Sequence, residues 1–309
     1  MRAIRLFFLI LLPLSASERG LGGEVSADSK ATIQFLEELR DQETGAFKQT
    51  AKDKPSLRAT NGAVKALKAL GQKVTDIEKI QKFVLGCYDA KTGAFAEPDG
   101  KPDATITSIG IIVACEVGID HEDILKAMDY VQEKAASFEE VRIAAAAVEA
   151  WGAMGIATKE LQAALKNAVA ADGEKIDPFD VELAKNGMAR ELASYLVTMA
   201  RINPKYFTGL PGDGLADLYF RINLSPGQRT DGGWSKKGEK ASDIESTYRV
   251  MRAFKMLDAK PKDIPQLRKF LASHRNQDGG SATKPGEVSS ASGTYYSVIV
   301  SKWLDDMAK

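Results

Sequence analysis

The chain has 309 residues, 44% of them hydrophobic, and its 42 basic side chains balance 42 acidic ones. That balance offers no electrostatic footprint for nucleic acid, whose binders concentrate positive charge. Two histidines are too few for a His-rich metal site, and two cysteines allow at most one bridge.

Residues 1–17 read as a signal peptide. Arg2 and Arg5 precede an apolar run from Leu6 to Leu14, and the small residues Ser15, Ala16 and Ser17 follow. The run is too short to cross a bilayer of ~30 Å, and no other stretch is long and apolar enough for a membrane span. Exported protein is therefore expected, in the periplasm, the extracellular space or a lumen. Residues 18–26 read as a linker. One domain, 27–309, follows.

Within that domain the helical spacing comes in pairs. An outer helix is expected near 27–40 and an inner helix near 57–70, stopped by Gly71. A second pair falls near 76–87 and 104–117, stopped by Gly118. The inner helix of this pair is apolar nearly all round (Ile109, Ile111, Ile112, Val113), so it should be buried on both sides. A third unit runs from about 122 to 151, with Ser137 as its cap. The fourth covers about 159–202, with Asn186 as its cap. The fifth has a long lead-in marked by Pro204, Pro211, Gly212, Gly214, Pro226 and Gly227. The sixth ends at Trp303, with Met307 to Lys309 as a tail.

Four of these units carry the same turn. It stands at Thr44-Gly45-Ala46-Phe47, Thr92-Gly93-Ala94-Phe95, Asp231-Gly232-Gly233-Trp234 and Asp278-Gly279-Gly280-Ser281. Phe47 lies 48 residues before Phe95, Trp234 lies 47 before Ser281, and the 139 residues from Phe95 to Trp234 are close to three periods of 46. A second marker keeps the same register: Ser56/Thr60, Asp103/Thr107, Asp243/Thr247 and Ser290/Thr294, each pair heading an apolar helical run. Ser and Asp satisfy orphan amides at a helix start. A fixed period of this size means stacked supersecondary units. The fold expected is all-α, six helical hairpins closed into an α/α toroid.

The sequence carries fewer signs of chemistry than of architecture. Cys87 and Cys115 sit in apolar helical contexts, where free Cys acts as a small hydrophobe; a disulfide between them is the alternative. His121 and His274 read as surface residues. No Gly-x-Ser-x-Gly elbow supports a Ser-His-Asp triad.

The repeated hairpin with its Gly-Gly-aromatic turn resembles the prenyltransferase and squalene-cyclase repeat family. It is most similar to the β subunits of protein prenyltransferases, especially the Rab geranylgeranyl type, and Phe83-Val84-Leu85-Gly86-Cys87 followed by Thr92-Gly93-Ala94-Phe95 carries that phrasing. The resemblance implies an isoprenoid diphosphate in an apolar barrel and a zinc ion held by Asp, Cys and His. Asp243 matches the ligand Asp, but Glu245 stands at the Cys position and Gly293 at the His position. Zinc is thus expected for the family, while the ligand set here is incomplete, and no cofactor is assigned. Lys237 and Lys240 fall where the family places basic residues for the diphosphate, making Lys237, Lys240, Asp243 and Glu245 the candidate diphosphate-like site. Ser246 replaces the family's aromatic after that motif. Tyr248, Tyr295, Tyr296 and Trp303 are candidate pocket-lining residues. No Asp-x-Asp-Asp acid of terpene cyclases and no Cys-Gly-Glu-Gln thioester motif is present.

Three readings follow. One is an exported, non-catalytic toroid that binds a protein partner or an apolar, isoprenoid-like lipid. Another is a divergent prenyltransferase acting on an isoprenoid diphosphate. The last is a purely structural repeat domain, which a barrel filled by side chains would favour.

Overall fold

A computed structural model describes residues 26–156, 158–171, 188–203 and 224–308. The segment read as a signal peptide, most of the linker after it, Asn186, and the turn residues Pro204, Pro211, Gly212 and Gly214 lie outside the described residues. The described chain is built almost wholly from α-helices: α1 (Ala27–Glu38), α2 (Leu57–Ala69), α3 (Ile77–Gly86), α4 (Ala104–Val117), α5 (Lys126–Lys134), α6 (Phe138–Ala153), α7 (Lys159–Ala171), α8 (Ala189–Ile202), α9 (Ile244–Met256), α10 (Ile264–Ser273) and α11 (Ala291–Ala308).

Six of them form a closed inner ring. Neighbours pack in the order α2, α4, α6, α8, α9, α11, and α11 returns to α2. The outer helices α1, α3, α5, α7 and α10 lie against this ring. In the described pairs α1–α2, α3–α4, α5–α6 and α10–α11 the outer helix leads into the inner one, and Arg190 and Arg201 of α8 reach Glu245 of α9 and Glu149 of α6, so the inner helices run in one direction and their N-termini share one end of the ring. The α/α toroid is the observed architecture.

The caps explain where the inner helices start. Ser56, Asp103, Ser137 and Asp243 each accept from the backbone N–H three residues on. Ser137 and Glu140 complete a reciprocal capping box. In the last unit Ser290 Oγ accepts from the Gly293 N–H at 3.0 Å. Gly71 and Gly118 adopt the left-handed conformation just past their helices (φ 73° and 74°).

The threonine of each marker pair has a structural task. Thr60, Thr107, Thr247 and Thr294 accept from the backbone N–H of Phe47, Phe95, Trp234 and Ser281, at 2.9–3.1 Å. Thr60 and Thr247 also donate back to the carbonyl of their capping residue. The hydroxyl therefore fastens the Gly turn onto the head of the inner helix, across 12 or 13 residues. Thr107→Val keeps the shape but orphans a buried amide, at a cost of roughly 1–3 kcal/mol. A fall in the urea midpoint with an unchanged slope would show this; an unchanged midpoint would deny the hydroxyl its role.

The Gly turns also set the spacing between units. A Cβ on Gly93 would meet the backbone of Lys126 in α5 at 2.5 Å, and one on Gly232 the backbone of Gln266 in α10 at 2.4 Å. Each turn rests on the outer helix of the following unit. The last turn completes the circle, since a Cβ on Gly279 would meet Ala31 O in α1 at 2.4 Å. Thr32 Oγ1 donates to Gly279 O at 2.9 Å, and Arg275 donates to both Thr32 Oγ1 and Asp28 O.

Three details differ from the sequence reading. His274 is fully buried, not a surface residue. It caps α10, where Nδ1 lies 2.8 Å from Phe270 O and its ring packs on Phe270. Its own backbone carbonyl accepts from Ala282, which draws the side chain under the turn. Met307 and Ala308, read as part of a tail, belong to α11, which continues to Ala308 and buries Met307. A small strand pair, Tyr88–Asp89 with Ala94–Phe95, closes the second turn. Cys87 and Cys115 are free and half-buried, and burial pushes both thiols up to about 12.

Candidate functional site: a charged central chamber

A ring of inner helices could close on packed side chains. This one encloses a chamber of about 510 Å³. The reason lies in the residues that face inward. Ala146, Ala150 and Ala153 of α6 and Gly62 of α2 are too small to fill the centre. Most of the charged and phenolic side chains that face inward are held against the walls by ion pairs and hydrogen bonds, beside Ile109, Ile112, Ile143 and Val197.

Two tiers follow from positions along the parallel helices. Toward the N-terminal end, Glu139 of α6 and Glu245 of α9 flank Arg249. Arg249 reaches Glu139 at 2.9 Å and Glu245 at 2.6 Å, and Arg142 binds Glu139 at 2.9 Å. Burial works against ionisation of Glu139, but the bonds from Arg249 and the nearby Arg142 outweigh it and hold the carboxyl down at about 2. Glu245 is lowered in the same way by Arg249, against burial.

Toward the C-terminal end, Glu149 of α6 is gripped by Arg201 of α8 at 2.7 Å and Arg252 of α9 at 2.9 Å. Burial again opposes its charge, and the two arginines bring it down to about 2. Arg252 also donates to the Tyr248 hydroxyl at 3.2 Å, and that hydroxyl lies 2.8 Å from the Tyr295 hydroxyl. Burial disfavours the Tyr248 phenolate. The cations Arg252, Lys65 and Arg201, with the Tyr295 hydrogen bond, overcome this and lower its pKa. Tyr295 is raised by burial and by Tyr248, so it keeps the proton and donates. On α2, Lys68 binds Glu116 at 2.8 Å, while Lys65 stands 3.9 Å from the same carboxylate.

The residues singled out in the sequence divide cleanly. Tyr248, Tyr295, Tyr296 and Glu245 lie on the chamber wall. Trp303 is buried behind it, stacked on Tyr248 with ring centres 5.5 Å apart. Lys237 and Lys240 are exposed on the loop before α9 and do not line the chamber. Asp243 is buried, and both its carboxylate oxygens are used within its own helix start, by Ser246 N at 2.8 Å and Ser246 Oγ at 2.6 Å. Gly293 has no side chain, and a Cβ there would meet Ser281 O at 2.5 Å. Asp243, Glu245 and Gly293 therefore do not fit a zinc ion: one is a cap, one is bound to arginine and one has no donor. Among the described residues no group of three or more His, Cys, Asp or Glu is placed to hold a metal.

What sequence reasoning missed is the charge inside the ring: Lys65, Arg142, Glu149, Arg201, Arg249 and Arg252. A signal existed. Glu245, Arg249 and Arg252 recur at helical spacing on one face of an inner helix, and Lys65 and Lys68 do the same on α2. Such a stripe reads as a solvated face until ring closure turns it inward.

Two concentric layers of helices around a chamber define an α/α toroid. The model of the prenyltransferase alpha-alpha toroid domain matches residues 6–164 and 220–308, and the chain belongs to that family. Among solved structures, one described as a wild-type glycosidase matches with a TM-score of 0.55 and 13% identity, covering 91% of this chain and 95% of that one. A variant of a glycosidase matches with a TM-score of 0.53, also at 13% identity. These likenesses concern the fold. No curated protein matches the sequence significantly. No helix among the described residues is long and apolar enough to cross a membrane.

Proposed function

We propose that this is an exported, non-catalytic toroid that holds a polar ligand in its central chamber. The observation that carries the reading is the chamber itself. It is open to about 510 Å³, and its lining counts seven cationic side chains (Arg58, Lys65, Lys68, Arg142, Arg201, Arg249, Arg252) against four carboxylates (Glu116, Glu139, Glu149, Glu245). An isoprenoid chain would have to strip water from these ions without replacing their hydration, so a polar occupant suits the walls better than a lipid. A purely structural ring would gain by filling its centre.

Catalysis is less well supported. Hydrolysis of glycosides by paired carboxyls needs one acid whose pKa is raised. Here Glu139, Glu149 and Glu245 are all lowered by arginines. Transfer from a prenyl diphosphate has in its favour the family membership and Lys237 and Lys240, yet these lysines lie outside the chamber.

Native mass spectrometry of the exported, purified protein, with metal analysis of the same sample, tests the reading. A bound polar small molecule and no stoichiometric zinc is the expected result. Turnover of a prenyl diphosphate, abolished by Lys237→Ala and by Asp243→Ala, would overturn it.

A further inference from the structure

The two tiers of the chamber are not electrically alike. In the N-terminal tier Arg142 and Arg249 are matched by Glu139 and Glu245, leaving Arg58 at the exposed rim. Among the described residues, the four cations of the C-terminal tier, Lys65, Lys68, Arg201 and Arg252, share only Glu116 and Glu149. Counted over those residues, two positive charges are left unbalanced there, in a half-enclosed space where screening by salt is weak.

One side chain of this tier also has unspent hydrogen-bonding capacity. Lys65 makes no hydrogen bond among the described residues, and its nearest carboxylate is Glu116 at 3.9 Å. Tyr248 registers the same excess, since Arg252, Lys65 and Arg201 together pull its phenol toward ionisation.

We propose that the C-terminal tier binds a dianionic oxyanion group, of the phosphate-monoester class, between Lys65, Lys68, Arg201 and Arg252. Arginine and lysine supply charge-assisted donors to such oxygens. The Tyr248 hydroxyl adds a neutral contact. This inference rests on the chamber being a ligand site, and it specifies the charge of what enters. It places that charge at the opposite end of the chamber from Lys237, Lys240 and Asp243.

The test is calorimetric titration of the purified protein with inorganic phosphate, and separately with a phosphate monoester such as phenyl phosphate, at fixed ionic strength. Wild-type protein should bind one equivalent. Lys65→Gln, which breaks no close ion pair, should weaken binding about tenfold or more with unchanged circular dichroism. Lys237→Ala should bind as wild type does. The alkaline titration of tyrosine absorbance gives an independent readout: bound phosphate should move the lowest phenol upward, because it neutralises the cations that lower Tyr248. Binding that survives Lys65→Gln, or that is lost in Lys237→Ala, would overturn the assignment. So would the absence of binding. In that last case the co-purified ligand separates the two ideas. A neutral or cationic molecule in the chamber would leave the binding reading standing and sink the dianion, whereas an empty chamber would sink both.

Discussion

Glu149→Ala is expected to destabilise the protein by about 3 kcal/mol. Glu149 is the only carboxylate bonded to both Arg201 and Arg252 among the described residues, at 2.7 and 2.9 Å. Removing it leaves two guanidinium groups side by side in the chamber wall with no counter-charge. Losing one partner of a half-buried ion pair costs more than the pair itself contributes, because the remaining charge keeps its desolvation penalty. The figure sits at the low end of that range because a third of the Glu149 side chain is exposed, so water screens the arginines. Chemical denaturation would read the loss as a lower midpoint.

The same residue sets an acid limit. Its folded-state pKa of about 2 lies below the ordinary carboxylate value of 4.5. A carboxyl lowered by folding contributes stability above its unfolded pKa and loses it as pH falls through the folded one. Glu139 is lowered to about 2 as well. The wild-type protein should therefore lose stability between about pH 4.5 and pH 2. Glu149→Gln, which has no charge to lose, should flatten part of that slope. Parallel slopes in the two proteins would mean that Glu149 is not held by its arginines in solution.

Gly279→Ala should cost about as much, roughly 3 kcal/mol, for a different reason. Gly279 has φ 84°, a region costly for any residue with a Cβ. The added carbon would also lie 2.4 Å from Ala31 O, which is backbone and cannot turn aside. That contact is the seam where the sixth unit meets the first. Comparison with Gly286→Ala isolates the seam, since Gly286 has the same φ of 84° but nothing within 4 Å. Only the backbone cost should appear there. Thermal unfolding of the two variants, with hydrogen exchange in α1, would show the difference. Equal losses would mean that contact with α1 contributes nothing to closure.

The turn residues made the architecture legible. Gly45, Gly93, Gly232 and Gly279 repeat because each needs positive φ and a close neighbouring helix, and such demands leave few alternatives to glycine. The caps at Ser56, Asp103 and Asp243 were equally readable, because an orphan amide is satisfied locally and the residue that does so is three positions away. The threonine marker was visible as a pattern but not as a reason. Its partner amide is 12 or 13 residues distant, and only the folded turn brings the two together.

The site was less legible, and His274 shows why. A histidine at the end of an outer helix has ordinary surface chemistry in the sequence; it is buried because the next turn folds over it. The charges of the chamber follow the same logic on a larger scale. Local chemistry dictated by the sequence, namely hairpins, caps and tight turns, determined the toroid. Whether a charged stripe on an amphipathic helix faces water or an interior depends on the helices opposite it, up to 110 residues away in the Glu139–Arg249 pair. Ring closure alone decided that Glu139, Glu149, Arg201, Arg249 and Arg252 would face one another, and so gave the chamber charged walls where an apolar barrel was expected.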